Sequence, residues 1–173
     1  VLDIGGFCGE TAAYFKSKKA KKVIVYEPCK DHYHYIRTNA QLNNIDIELH
    51  EAGIGDADGS LLVNYDKGGL SFTRNENGQN QTAISIENVA NVILQSKADV
   101  AKIDCEGAEM SLTKVSAEIL GRIPFYFIET HTKEIEKAVT AKFLASGFRV
   151  ARQPVHLVDG ISMLYFEMVK GIN

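Results

Sequence analysis

The chain has 173 residues, 45% hydrophobic and 24% charged, with a formal net charge of -3. That composition predicts one soluble globular domain, with no apolar run long enough to span a membrane. The acidic balance argues against strong non-specific attraction to nucleic acid, which depends on neutralising phosphates with Lys and Arg. The three cysteines, Cys8, Cys29 and Cys105, lack regular spacing and fit reduced thiols in a cytoplasmic protein rather than a disulfide framework.

Val1-Leu2-Asp3-Ile4 reads as a buried strand that turns through Gly5, Gly6 and Gly9 into a helix over 11–18. Because Val1 already lies inside that strand, an upstream N-terminal segment is expected to be missing from view. Val23-Ile24-Val25-Tyr26-Glu27 supplies a second strand ending in an acid. A glycine turn before a helix N-terminus, followed by a carboxylate on the next strand, suits an adenosine-containing cofactor.

The spacing favours S-adenosylmethionine over a dinucleotide. A pyrophosphate-binding G-x-G-x-x-G pattern from Gly5 would need glycine where Phe7 and Glu10 stand. A carboxylate at Glu10 repels a diphosphate and tolerates a sulfonium and an ammonium, although it also complements the helix dipole. Lys16, Lys18, Lys19, Lys21 and Lys22 follow. They form either a solvated helix end or a basic patch toward RNA.

Helical spacing continues over 31–42 and stops at Asn43-Asn44, with a third strand over 45–52. Gly53-Ile54-Gly55-Asp56 reads as a turn, 61–65 as an extra strand, and the polar stretch 66–81 as an exposed loop. A helix over 86–94, a strand over 100–104, a mostly helical 108–120, an apolar strand over 125–129 and an amphipathic helix over 134–146 complete the alternation. Runs over 148–152 and 163–169, separated by a loop through Asp159-Gly160, close the chain as an antiparallel hairpin. The expected fold class is α/β: a Rossmann-like, mostly parallel doubly wound sheet with an antiparallel C-terminal hairpin strand and its ligand at the carboxyl ends of the strands.

Polar residues gather at those ends. For the cofactor we assign Asp3 to the amino-acid end, Gly5, Gly6 and Gly9 to close approach, Glu27 to the ribose, and Gly53, Ile54 and Asp56 to the adenine edge, with Asp104 contacting the methionine moiety. For catalysis the candidates are Asp104, Glu106 and His131, beside Glu109 and Glu129. His131 titrates nearest neutral pH and is the expected proton acceptor. Glu109 alternatively serves only the first turn of a helix. Alternatively, Asp104, Glu129 and His131 converge to hold a divalent cation that lowers the pKa of the acceptor hydroxyl; the sequence does not display that convergence, and no metal ligand is assigned. Cys29, His32 and His34 lack a second pair to complete a zinc site. Tyr33 and Tyr35 are expected to cover the sheet or line the cofactor rim.

Asp3-x-Gly5-x-x-x-Gly9, Tyr26-Glu27-Pro28, Asn39 with Asn43, Lys102-Ile103-Asp104-Cys105-Glu106-Gly107-Ala108-Glu109 and Glu129-Thr130-His131 together resemble the FkbM family of S-adenosylmethionine-dependent methyltransferases. Cys105 stands where that family usually carries an aliphatic residue. The resemblance implies a class I methyltransferase fold and methyl transfer to a hydroxyl oxygen of a sugar, polyketide or other small molecule. The alternative readings are an RNA methyltransferase, against which the missing Asn/Asp-Pro-Pro-aromatic motif counts, and a methyltransferase-like domain that binds without turnover.

Overall fold

The computed structural model describes residues 1–65, 72–73, 81–157 and 160–169. In chain order the first half contains β1 (Leu2–Ile4), α1 (Glu10–Ser17), β2 (Ile24–Tyr26), α2 (Lys30–Leu42), β3 (Glu48–His50), β4 (Gly53–Gly55), β5 (Gly59–Tyr65), β6 (Phe72–Thr73) and β7 (Gln81–Asn88). The second half contains α3 (Val89–Ser96), β8 (Val100–Ile103), a 3-10 segment (Ala108–Lys114), α4 (Ala117–Leu120), β9 (Phe125–Thr130), α5 (Lys133–Ala145), β10 (Phe148–His156) and β11 (Ser162–Met168).

Every residue of β1 and β2 is buried, the mark of strands covered on both faces. They lie inside a seven-stranded sheet of order β10-β11-β9-β8-β1-β2-β3. On one face Leu2, Ile4, Ile24, Ala101, Ile103, Tyr126 and Ile128 pack with Val92 and Ile93 of α3 and with Ile135, Val139 and Phe143 of α5. On the other, Val23 and Val25 pack with Ala12 of α1 and Ile36 of α2. The period of α5 explains its docking, since Ile135, Val139 and Phe143 recur every fourth residue, and Phe143 stacks on Phe166 with ring centroids 4.5 Å apart.

The expected mostly parallel sheet and C-terminal hairpin are both present. The strand that opposes the others is β11, which lies between β9 and β10 rather than at the edge.

Local differences have local causes. The helix expected over 86–94 starts only at Val89, because Ile84 and Ile86 belong to β7 and the Asn88 side chain caps the helix by accepting from Ala90 N (2.9 Å) and Asn91 N (3.3 Å). The helix expected over 108–120 is broken at Ser116, whose extended backbone caps α4. The third strand shortens to Glu48–His50. Gly53–Gly55 is strand rather than turn, paired in parallel with β7.

That pairing belongs to a second sheet of order β4-β7-β5-β6, which the sequence signalled only through 61–65. Of the stretch expected as a loop, Phe72–Thr73 pairs with β5 and Gln81 opens β7. Its other residues, and Asp159 of the last loop, lie outside the described ones. Among the described residues no helix is long and apolar enough to cross a membrane.

Candidate functional site

Three strands of the main sheet run their registers straight into the site. Lys102 of β8 pairs with Phe127 of β9, which pairs with Tyr165 of β11. Two residues along, on the same face, come Asp104, Glu129 and Met163. These side chains floor a cavity of about 1050 Å³ at the carboxyl ends of the strands, where ligands of open α/β sheets bind. Its opposite wall is one face of the second sheet: Leu61 and Val63 of β5 with Ile84 and Ile86 of β7. Tyr14 and Glu10 of α1 close a third side.

At the glycine turn, Gly5 lies on the cavity with φ +82° and accepts a hydrogen bond from Lys102 Nζ at 2.6 Å. A Cβ on Gly5 would stand 1.6 Å from the Asp104 carbonyl oxygen, so no other residue fits there. Gly6 and Gly9 are small for a different reason than the one expected. A Cβ on Gly6 would meet Val25 Cγ1 at 2.4 Å and one on Gly9 would meet Ile36 Cγ2 at 3.3 Å. Gly6 faces β2 and α2, Gly9 faces α2, and neither lines the cavity.

Glu27 ends β2, buried yet on the cavity wall. Its Oε2 accepts from Phe7 N at 2.9 Å and its Oε1 from Cys29 N at 2.8 Å, which ties the turn after β1 to the end of β2. Each oxygen keeps a second lone pair for a ligand hydroxyl. Burial pushes the Glu27 carboxyl up against the pull of those N–H donors and of His32, whose Nδ1 is 3.4 Å away. Glu27, Cys29 and His32 are close enough to share an ion, whereas the exposed His34 is not among them. The carboxylate is already engaged, and this group serves the turn.

Asp3 does not reach the cavity wall. It is fully buried beneath Lys102, with Oδ1 3.5 Å from Nζ, and neither of its oxygens has a hydrogen-bond partner among the described residues. Burial pushes its carboxyl up to about 6 in spite of the lysine. Lys102 instead goes up, because Asp3 and Asp104, the latter with Oδ2 at 3.4 Å, outweigh its own burial. Lys102 is the residue the sequence reading passed over. A lysine facing the same side as Asp3 in an otherwise apolar strand was the available signal.

Gly53 and Ile54 line the cavity. Asp56 does not: its carboxylate turns outward to Lys114, and its carbonyl accepts from Asn88 Nδ2 at 2.6 Å. Tyr33 and Tyr35 also stand outside the wall, Tyr35 being exposed.

The candidate catalytic residues do converge. Asp104 and Glu106 follow β8, Glu129 ends β9, and His131 stands behind them. His131 Nε2 lies 3.6 Å from Asp104 Oδ1, 3.6 Å from Glu106 Oε2 and 3.8 Å from Glu129 Oε1, while Nδ1 is 3.1 Å from Glu109 Oε1. The hydrogen bond to Glu109 and the surrounding carboxylates hold the imidazole pKa up at about 9. These surroundings favour the protonated imidazole over the neutral proton acceptor expected of His131. Glu109 is no mere helix-turn acid. Fully buried, it accepts from Cys105 N (2.7 Å) and Gly107 N (2.8 Å) and fixes the imidazole. Burial raises the Glu106 and Glu129 carboxyls, and it pushes the Cys105 thiol well above its ordinary value, which disfavours a thiolate nucleophile.

No protein-family model matches the chain, and no curated protein matches it in sequence. Solved structures do. A Streptococcus pneumoniae protein named as a candidate tRNA (m1A22) methyltransferase, crystallised with S-adenosyl-L-methionine, is similar at 12% identity and a TM-score of 0.58 over 99% of this chain and 67% of that one. A Streptococcus thermophilus rRNA methylase is similar at 14% identity and 0.58 over 98% of this chain and 86% of that one. A Geobacter metallireducens precorrin-6y C5,15-methyltransferase is similar at 10% identity and 0.58 over 97% and 78%. The fold of this chain is the Rossmann-like fold of the class I S-adenosylmethionine-dependent methyltransferases.

Proposed function

We propose that this chain is an S-adenosylmethionine-dependent methyltransferase that methylates a hydroxyl oxygen of a small molecule or glycan, in the manner of the FkbM family that its motifs resemble. The observation that carries the reading is one shared hollow: the Gly5 turn and Glu27 stand on one side, and Asp104, Glu106 and Glu129 on the other. The residues fit the cofactor. Gly5 leaves room for close approach, Glu27 has lone pairs for ribose hydroxyls, Gly53 and Ile54 edge the base, and the carboxylates favour a cationic sulfonium. When bound, that cofactor supplies an electrophilic methyl group. The protein's part is to align the acceptor and relieve it of a proton, with Asp104 orienting the acceptor hydroxyl.

RNA is the second reading, favoured by the similarity to RNA methyltransferases. Against it, Lys16, Lys18, Lys19, Lys21 and Lys22 lie between the end of α1 and the start of β2, at the end of the sheet opposite the cavity. Lys22 is also paired with Glu48 at 2.6 Å. A phosphate backbone held there would not lead into the hollow.

Calorimetric titration tests the assignment. S-adenosylmethionine and its demethylated product are expected to bind saturably, and Glu27→Gln to weaken both by about tenfold, the loss of roughly 1.4 kcal/mol in one charge-assisted bond. Saturable binding of NAD in their place overturns the reading. RNA binding that falls steeply with salt, together with a nuclease-sensitive methylated product, transfers it to RNA.

A further inference from the structure

We propose that Asp104, Glu129 and His131 form a binding site for one divalent cation of the manganese-to-zinc series, at the point of the cavity where the acceptor hydroxyl would meet the methyl donor.

The donor atoms of these three residues all lie within 4.8 Å of one another. Their spacing is informative. Asp104 Oδ1 and Glu129 Oε1 stand 3.6 and 3.8 Å from His131 Nε2. Glu106 Oε2 is also 3.6 Å from that nitrogen but is not among the three mutually close donors. These distances are too long for hydrogen bonds. Two ligands of one metal, each bonded at about 2.0–2.2 Å, stand roughly 3.3–3.6 Å apart on a tetrahedron. The two oxygen-to-nitrogen separations therefore equal or exceed that spacing by a few tenths of an ångström at most.

The second feature is the support behind the histidine. A metal-binding imidazole almost always gives its other ring N–H to a carboxylate, which fixes the ring and leaves the opposite lone pair for the metal. His131 Nδ1 is held by Glu109 Oε1 at 3.1 Å, and fully buried Glu109 is itself locked by the Cys105 and Gly107 N–H groups. Nε2 is thus aimed at Asp104 and Glu129 by a rigid anchor, and a cation bound there takes the place of the Nε2 proton, which leaves to solvent. One imidazole among carboxylates suits Mn²⁺ or Zn²⁺ better than Ca²⁺ or Mg²⁺, which prefer oxygen ligands alone.

The chemistry that follows rests on the methyltransferase reading. A cation held here would polarise the acceptor hydroxyl, so that its O–H proton could pass to solvent as the oxygen takes the methyl group and the methyl–sulfur bond breaks to leave a neutral thioether. Lys102 keeps the far oxygen of Asp104 occupied, leaving Oδ1 for the metal.

Titration of chelator-stripped protein with Mn²⁺ and with Zn²⁺ tests the site, read by calorimetry and by pulsed electron paramagnetic resonance of bound Mn²⁺. We expect one saturable ion per chain, nitrogen coupling from a single imidazole, and affinity lowered at least about tenfold in Asp104→Asn and in Glu129→Gln. Absence of saturable binding in the unaltered protein overturns the proposal, as does bound Mn²⁺ without nitrogen coupling or with undiminished affinity in both variants. The resonance signature belongs to the unaltered protein, so it decides the matter even where a variant fails to fold. Titrating S-adenosylmethionine into the same metal-free protein separates the two readings. Cofactor binding without any metal site leaves the methyltransferase standing and removes the cation, and a metal site without cofactor binding does the reverse.

Discussion

The two walls of the cavity come from sheets built on different principles. The floor belongs to the ends of parallel strands, where Lys102, Asp104, Glu106 and Glu129 place charge in partly desolvated surroundings, with Asp3 and His131 just behind them. The opposite wall belongs to the sheet inserted between β3 and α3, whose described residues on the cavity, Gly53, Ile54, Leu61, Val63, Ile84 and Ile86, carry no charge. Alternation makes this second wall one-sided: Leu62, between two wall residues, is 55% exposed on the far side. Charge on one wall gives chemistry and pays for burial in shifted pKa values. Apolar surface on the other gives exclusion of water and fit, with no titration to disturb.

Gly5→Ala tests the floor most severely. The added methyl collides with the Asp104 carbonyl and the residue must keep φ +82°, so a loss of about 4 kcal/mol of stability is expected, with cofactor binding abolished. A denaturant midpoint and a cofactor titration measure both.

Asp3→Asn acts in the opposite direction on stability. The Asp3 carboxyl is raised by burial from 3.8 to about 6, so its contribution is fully present below pH 4 and is lost as pH rises through 6. At pH 7 the charged form costs up to about 3 kcal/mol. The neutral amide is therefore expected to melt higher than the parent at pH 7, with the gap closing by pH 4. A parallel pair of melting curves at those two values decides it, and equal melting points at pH 7 refute the burial penalty.

The smallest expected effect concerns the aliphatic wall. Leu61→Ala should raise the acceptor KM by about tenfold with kcat nearly unchanged, since it removes roughly 1–2 kcal/mol of uniform apolar contact. Leu62→Ala, on the outer face, should change neither. A fall in kcat for Leu61→Ala would show that the aliphatic wall takes part in alignment as well as in fit.

The main sheet was legible because its signals are local. Runs such as Val23-Ile24-Val25 and Phe125-Tyr126-Phe127-Ile128 can only be buried strands, and the glycine turn and the acids at strand ends follow from where those runs stop. The second sheet was not, because Gly53-Ile54-Gly55 carries turn residues and becomes a strand only through its pairing with β7. Within the site, residue types revealed candidates but not directions. Asp56, assigned to the adenine edge from its place in the sequence, points at Lys114 instead. His131 is an ordinary side chain in sequence, and its raised pKa comes from Glu109, Glu106 and Asp104, a stretch whose approach to residue 131 only the fold displays.

The hydrogen bond from Lys102 to the Gly5 carbonyl joins groups 97 residues apart. β1 needs β8 beside it as well as β2, with Leu2 opposite Ala101 and Ile4 opposite Ile103. During synthesis the glycine turn therefore leaves the ribosome long before the strand that shapes it, and the hollow is among the last features to become competent. A nascent chain truncated before β8 would expose the apolar residues of β1 and β2 with no binding pocket to show for them.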